Sequence, residues 1–234
     1  MKSLICILLL AASHASGADK KVLTAPPAEE LLSYSINWPT GLSLGEAKLK
    51  TLRMKSDAGD KWESEFTVDA SVPGFPVIER VRSNSDAEFC AAELQKQYTH
   101  GKRKAEETTT FDQQKGTANR ETKNGGKTEL KVNACAKDAL SYLEYLRREL
   151  SQGRLPPHQT VYFGAPYRIS VQFSGTQQIM VGETKTEADR ILATLKGDKT
   201  DLTFEIFFTK DAARTPVLVK VPLQLATFSM ELIR

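Results

Sequence analysis

The chain has 234 residues, of which 40% are hydrophobic and 14 are glycine, and a formal net charge of +3. That is ordinary globular composition and excludes a chain disordered throughout. With 32 basic against 29 acidic residues, no excess charge marks a partner such as nucleic acid or an acidic membrane surface.

The first residues, MKSLICILLLAASHASGADKK, place Lys2 before an apolar run from Leu4 to Ala12 and then the small residues Ala15, Ser16, Gly17 and Ala18. This is the pattern of a cleavable secretory signal. A membrane anchor needs roughly 20 apolar residues, and the run is about half that. Residues 1–18 are therefore expected to be a leader, residues 19–234 a single β-rich domain, and the protein periplasmic or secreted with no transmembrane anchor.

The next segments alternate apolar and polar residues with period two, the mark of strands that bury one face. In ELLSYSINW, Leu32, Tyr34, Ile36 and Trp38 share a face; in KWESEFTVDA, Trp62, Phe66, Val68 and Ala70 do. SVPGFPVIE reads as a compact crossing whose Val72, Phe75 and Ile78 plug an open end of the sheet. In DAEFCAAELQKQY the inward set is Cys90, Ala92, Leu94 and Tyr98. The basic GKRK at 101–104 is followed at once by Glu106 and Glu107, and KAEETTTFDQQKGTANRETKNGGK reads as an exposed, solvated hairpin.

NACAKDALSYLEYLRREL is the one convincing helix, expected from about Ala136 to Ser151. Ala136, Ala139, Leu143, Leu146 and Leu150 form its apolar stripe, with Leu140 and Tyr142 at the borders. Asp138 suits the first turn, Gly153 with Pro156 and Pro157 supplies the stop, and Glu144 with Arg148 reads as a solvent-facing pair at i, i+4. Arg147 interrupts the stripe between Leu143 and Leu140. Either its guanidinium reaches out to water, or it faces a cavity beneath the helix as an anion-binding group beside Tyr142 and Leu143. Those three residues are the candidate ligand-binding set.

Beyond the helix, YRISVQF and LTFEIFF repeat the alternation through Tyr167, Ile169, Val171, Phe173 and through Leu202, Phe204, Ile206, Phe208. VLVKVPLQLATFSMELIR reads as one long bent strand with a bulge near Leu225 to Thr227, placed at an edge or an irregularity by Pro222. Short turns between strands mean an antiparallel meander. The fold class is mainly β: a strongly curved antiparallel sheet, barrel or half-barrel of roughly 9–12 strands, with the helix on the concave side or over one mouth.

Beyond the leader two cysteines remain, Cys90 and Cys135, an even count in an exported chain. A structural disulfide is expected, with two unpaired buried thiols the alternative. It would pin the helix N-terminus to the sheet. His100 lies at a hairpin tip and His158 after a Pro-Pro stop, poor spacing for a metal site. No GxSxG, HExxH, P-loop or GxGxxG occurs, so no catalytic residue and no cofactor is assigned.

Asp138-Ala139-Leu140-Ser141 followed by Tyr145-Leu146-Arg147 resembles the D-x-L-S-x-x-x-Y-L-R helix motif of the bacterial domain of unknown function 3108. ELLSYSINWPTGLSLGEAKL is similar to that family's first hairpin, as are ERVRSNSDAEF and the terminal RTPVLVKVPLQLATFSMEL to later parts of it. The resemblance implies an exported β-rich domain and no reaction. The two functional expectations are a non-catalytic binding or carrier module for an apolar or lipid-like ligand, and an envelope protein that docks another envelope protein with a filled core. Whether the space under the helix is filled separates them.

Overall fold

The computed structural model describes residues 26–55, 59–72, 75–198, 200–223 and 226–233, so the leader expected at residues 1–18 lies outside the described residues. The first half of the chain forms β1 (Glu29–Asn37), β2 (Ser43–Met54), β3 (Lys61–Val72), β4 (Phe75–Asp86), β5 (Ala91–His100), β6 (Arg103–Asp112), β7 (Thr117–Thr122) and β8 (Lys127–Lys131). The second half forms β9 (Lys137–Asp138), the helix α1 (Ala139–Ser151), β10 (Gln159–Tyr162), β11 (Pro166–Val181), β12 (Thr184–Gly197), β13 (Thr200–Thr209), β14 (Pro216–Pro222) and β15 (Thr227–Leu232).

All these strands belong to one sheet, in the order β8-β7-β6-β5-β4-β3-β2-β1-β15-β14-β13-β12-β11-β10-β9. Neighbours are antiparallel except β9 and β10, which are parallel. The sheet is mainly β, curved and not closed: β8 and β9 are its two edges. The β9 edge curls back to the start of β5, where the Ala91 amide donates to the Ala136 carbonyl at 2.8 Å. Gln113 clamps that seam, donating to the carbonyls of Ala91 and Ala136 and accepting from the Ala136 amide.

Fifteen strands exceed the roughly 9–12 expected, for identifiable reasons. The polar stretch after Lys104 is not a solvated hairpin but part of three paired strands, and its inner face is buried through Glu107, Thr109, Phe111 and Ala118. The terminal run is not one bent strand. β14 and β15 fold back on each other, with Val221 opposite Phe228 and Pro222 opposite Thr227, so Pro222 ends a strand beside a turn; Leu225, where a bulge was expected, lies outside the described residues. SVPGFPVIE is the β3–β4 hairpin rather than a crossing: Val72 pairs with Phe75, and Phe75 and Ile78 are 48% and 49% exposed, so neither plugs the sheet. Phe173 also faces outward, just before the register shift that interrupts β11.

Elsewhere the period-two reading matches the packing. Leu32, Tyr34, Leu49, Val81, Leu94 and Phe111 form one buried cluster with Leu140 of the helix, while Ile169, Ile191, Ile206 and Phe208 form another with Tyr142, Leu146 and Leu150. Leu143 touches both. The helix is thus a wedge between two walls of one sheet. Each fully buried side chain of the size of Leu146 contributes about 1.5–3 kcal/mol over its exposed form.

Candidate functional site

The helix begins three residues later than the apolar stripe suggested, because Asp138 is its N-cap and not a residue of its first turn. The Asp138 carboxylate accepts from the amides of Leu140 and Ser141, and the Ser141 hydroxyl accepts from the Asp138 amide, a reciprocal capping box. Ser83 of β4 donates to the other carboxylate oxygen at 2.5 Å, fixing the helix start to the sheet. Burial pushes the Asp138 carboxyl up, with Ser83 and the two helix amides opposing it.

Just upstream Cys90 and Cys135 are bonded, with Cα atoms 4.5 Å apart. Cys90 is only half-buried, and the inward residues here are Phe89 and Ala91 in place of Cys90 and Ala92. The reason is local: Phe89 has a φ of 60°, and the β4–β5 register shifts beside Ser85, which reverses the parity read from the sequence. Lys137 is buried against the bond, its Nζ 2.9 Å from the Cys135 Sγ and 4.7 Å from the centre of the Tyr145 ring. Burial, then the charge of Arg148, pushes the Lys137 amine down to about 8.

On the next turns of α1 lies a buried ionic cluster that strand and helix periodicity do not reveal. Arg147 is 0% exposed. Its Nη1 donates to Glu30 at 2.7 Å and to Glu144 at 3.0 Å, its Nη2 to Glu30 and to the Ala213 carbonyl at 3.0 Å each, and its Nε to the carbonyls of Ala213 and Arg214. A guanidinium has five N–H groups, and here all five have partners within the protein. Arg147 therefore neither reaches water nor lines the cavity beneath the helix, and it has no donor left for an anion. Glu144 is also wholly buried and accepts from Thr51 at 2.8 Å, so it is no member of a solvent-facing pair with Arg148. Arg148 instead pairs with Glu88 and lies over the rings of Phe89 and Tyr145. The cluster ties α1 to β1, β2 and the turn before β14.

Between the helix and the two walls is a cavity of about 290 Å³. Its roof is Ala139, Leu140, Tyr142, Leu143 and Leu146 of α1. Tyr34, Leu49, Phe66 and Val81 form one wall, and Ile169, Ala193, Leu195, Phe204, Ile206 and Val219 the other. The polar side chains of its lining are Tyr34, Glu79 and Tyr142. Tyr34 is satisfied, donating to the Pro216 carbonyl at 2.8 Å. Tyr142 is not: it is 3% exposed and its hydroxyl has no hydrogen-bond partner within the protein. Burial, and then the neighbouring Tyr145, push that phenol well above its ordinary range, so it remains a neutral donor and acceptor. Of the three candidate residues, Tyr142 and Leu143 meet at the cavity and Arg147 does not.

At Glu79, Val81 and Phe163 the apolar cavity borders a second chamber of about 280 Å³, which shares those three residues as lining. This one is polar, with Lys96, His100 and Arg103 alongside Tyr98 and Tyr167. Glu79 contacts the His100 ring at 2.6 Å. Lys96 is held by Glu107 at 2.9 Å and lies 3.9 Å from the centre of the Phe163 ring. Burial pushes Glu107 up, but Lys96 and Arg120 outweigh it and hold the carboxyl below the usual range. Sequence reading missed this chamber, because its residues come from four strands, β4, β5, β6 and the distant β11, and from the connector that holds Phe163. The nearest signal was GKRK at the tip of the β5–β6 turn.

Among the described residues no group of three or more His, Cys, Asp or Glu is placed to hold a metal ion, and no helix is long and apolar enough to cross a membrane. A search among curated proteins gave no match. Among solved structures the chain resembles the crystal structure of a β-barrel-like protein of domain of unknown function DUF1849 from Brucella abortus. The match has a TM-score of 0.61 at 9% identity, over 90% of this chain and 98% of that one. At that identity the likeness is one of fold, and it agrees with the curved sheet seen here. The family described as Protein of unknown function (DUF3108) matches residues 33–233, which run from within β1 through β15 and take in the helix, both chambers and all of the buried ionic cluster except Glu30. Site and scaffold therefore fall within one family match, and the chain belongs to the DUF3108 family.

Proposed function

We propose that this is an exported, non-catalytic binding or carrier protein whose curved sheet holds an apolar or amphipathic ligand under α1. The observation that carries the reading is the cavity of about 290 Å³, roofed by Tyr142 and Leu143 and lined almost wholly by apolar side chains. Ligand sites are concave, mostly apolar, and carry a few placed polar groups, with volumes from about 300 Å³ upward. A protein whose sheet served only as a docking scaffold would fill that space with its own side chains. The disulfide and the family membership fit a protein outside the cytoplasm, and the leader pattern of residues 1–18 narrows this to the periplasm or the medium.

Protein purified from its native host should lack residues 1–18 by N-terminal sequencing and should release hydrophobic material to organic extraction, seen by mass spectrometry. Leu143→Trp, which fills the cavity from its roof, should remove that material while leaving the melting temperature within a few degrees. Repeatedly blank extracts, together with no uptake of a fluorescent fatty acid, would overturn the reading.

A further inference from the structure

The two chambers differ in chemistry, and they are adjacent, sharing Glu79, Val81 and Phe163 as lining. One is apolar and lies under the helix; the other opens at the β5–β6 turn and carries Lys96, His100 and Arg103 against the single carboxylate of Glu79. The turn itself adds Lys102 and Lys104, both exposed, and none of Lys102, Arg103 and Lys104 has an ion-pair partner among the described residues. Arg103 is oriented by the Tyr98 ring, whose centre lies 5.8 Å from its guanidinium carbon. An unpaired guanidinium stacked on an aromatic ring beside a chamber presents donors suited to a carboxylate or phosphate oxygen. Lys96 is different, since Glu107 already holds it, and it contributes charge more than a free donor.

We propose that the polar chamber is a headgroup site, and that the ligand is an anionic amphiphile whose tail lies under α1 and whose head is met by Arg103. This rests on the cavity being a ligand site at all. It goes further by fixing the ligand's polarity and direction: tail toward Tyr142 and Leu146, head toward the basic β5–β6 turn. The exposed GKRK cluster is then the guide that brings the negative end to the mouth.

The test compares ligands with one tail and different heads. The full mature protein is loaded with the neutral fluorescent probe N-phenyl-1-naphthylamine, which is displaced with decanoate, decyl phosphate or decanol. At low salt the better of the two anions should displace it at least about tenfold more tightly than decanol, a margin of about 1.4 kcal/mol. Arg103→Glu should remove most of that margin without changing decanol. Arg103 is exposed, so this variant should fold, and an unchanged circular dichroism spectrum and melting temperature check it. Equal displacement by all three compounds, or a margin indifferent to Arg103→Glu, would overturn the headgroup site and leave the apolar cavity standing. Failure of the probe and all three compounds to bind would overturn both.

Discussion

Tyr142 and Arg147 stand on different faces of the same helix and are both almost wholly buried, yet the protein treats their polar atoms in opposite ways. Every N–H of Arg147 meets an acceptor from Glu30, Glu144 or the turn at Ala213, whereas the Tyr142 hydroxyl, on the cavity roof, has none. Burying a polar group without a partner costs about 1–3 kcal/mol, so completeness marks a joint made for rigidity and incompleteness marks a place kept for something else. The helix therefore has a locked flank and, on the function proposed above, a receptive flank, and substitution can tell them apart.

The largest effect is expected at the lock. Arg147→Met leaves Glu144 and Glu30 without their cation in a dry interior and should cost about 3–5 kcal/mol in denaturant unfolding. The double variant with Glu144→Gln should recover part of that loss. A single-variant cost below about 1 kcal/mol would mean the cluster is not a lock.

A smaller loss is expected where the helix start is stapled. Replacing both Cys90 and Cys135 by Ala opens a loop with a sequence separation of 45, and loops of that size are stabilised by roughly 2–4 kcal/mol. Calorimetry should show the lower melting temperature, while probe displacement from the cavity stays within about twofold, because capping by Asp138 and the Arg147 cluster still hold α1.

The smallest change should come on the receptive flank. Tyr142→Phe removes an unpaired hydroxyl and should alter stability by less than about 1 kcal/mol, in either direction. A loss of 2 kcal/mol or more in the same unfolding assay would show that the hydroxyl is structurally engaged, and the contrast between the flanks would disappear.

Much of this frame can be read from residue order alone. Alternation in ELLSYSINW and LTFEIFF correctly points Tyr34 and Ile206 inward, since a buried face imposes period two whatever the partner strand. Errors arose where a register shift or a distant partner decides. Phe89 replaced Cys90 on the inner face because one left-handed residue and one bulge moved the parity. Glu144 looked like a surface residue because its position opposite the apolar stripe is all that a helical wheel displays. Its partner Thr51 lies 93 residues away in the chain, and Glu30, which shares Arg147 with it, lies 117 residues from that arginine. The Asp138–Ser141 capping box was visible in principle, as an Asp followed three residues on by Ser, but the apolar Ala136 upstream extended the stripe past the true start. The cavity lies one level further off, because emptiness is a property of packed volumes and not of any local pattern.

The strand order holds one more lesson. Read around the sheet it is the chain order itself, cut between β8 and β9, with the first and last described strands joined where β1 meets β15 at Tyr34↔Leu232 and Ile36↔Met230. Nearly every other pairing is between sequence neighbours and can form as soon as its own turn closes, so each half can zip outward from local hairpins. The β1–β15 pairing instead must wait for these two strands to find each other, and until it does both strands expose unpaired edges to other chains. The slowest pairing step of this molecule, and its window of vulnerability to aggregation, are thus expected at the middle of the finished sheet and not at its rims.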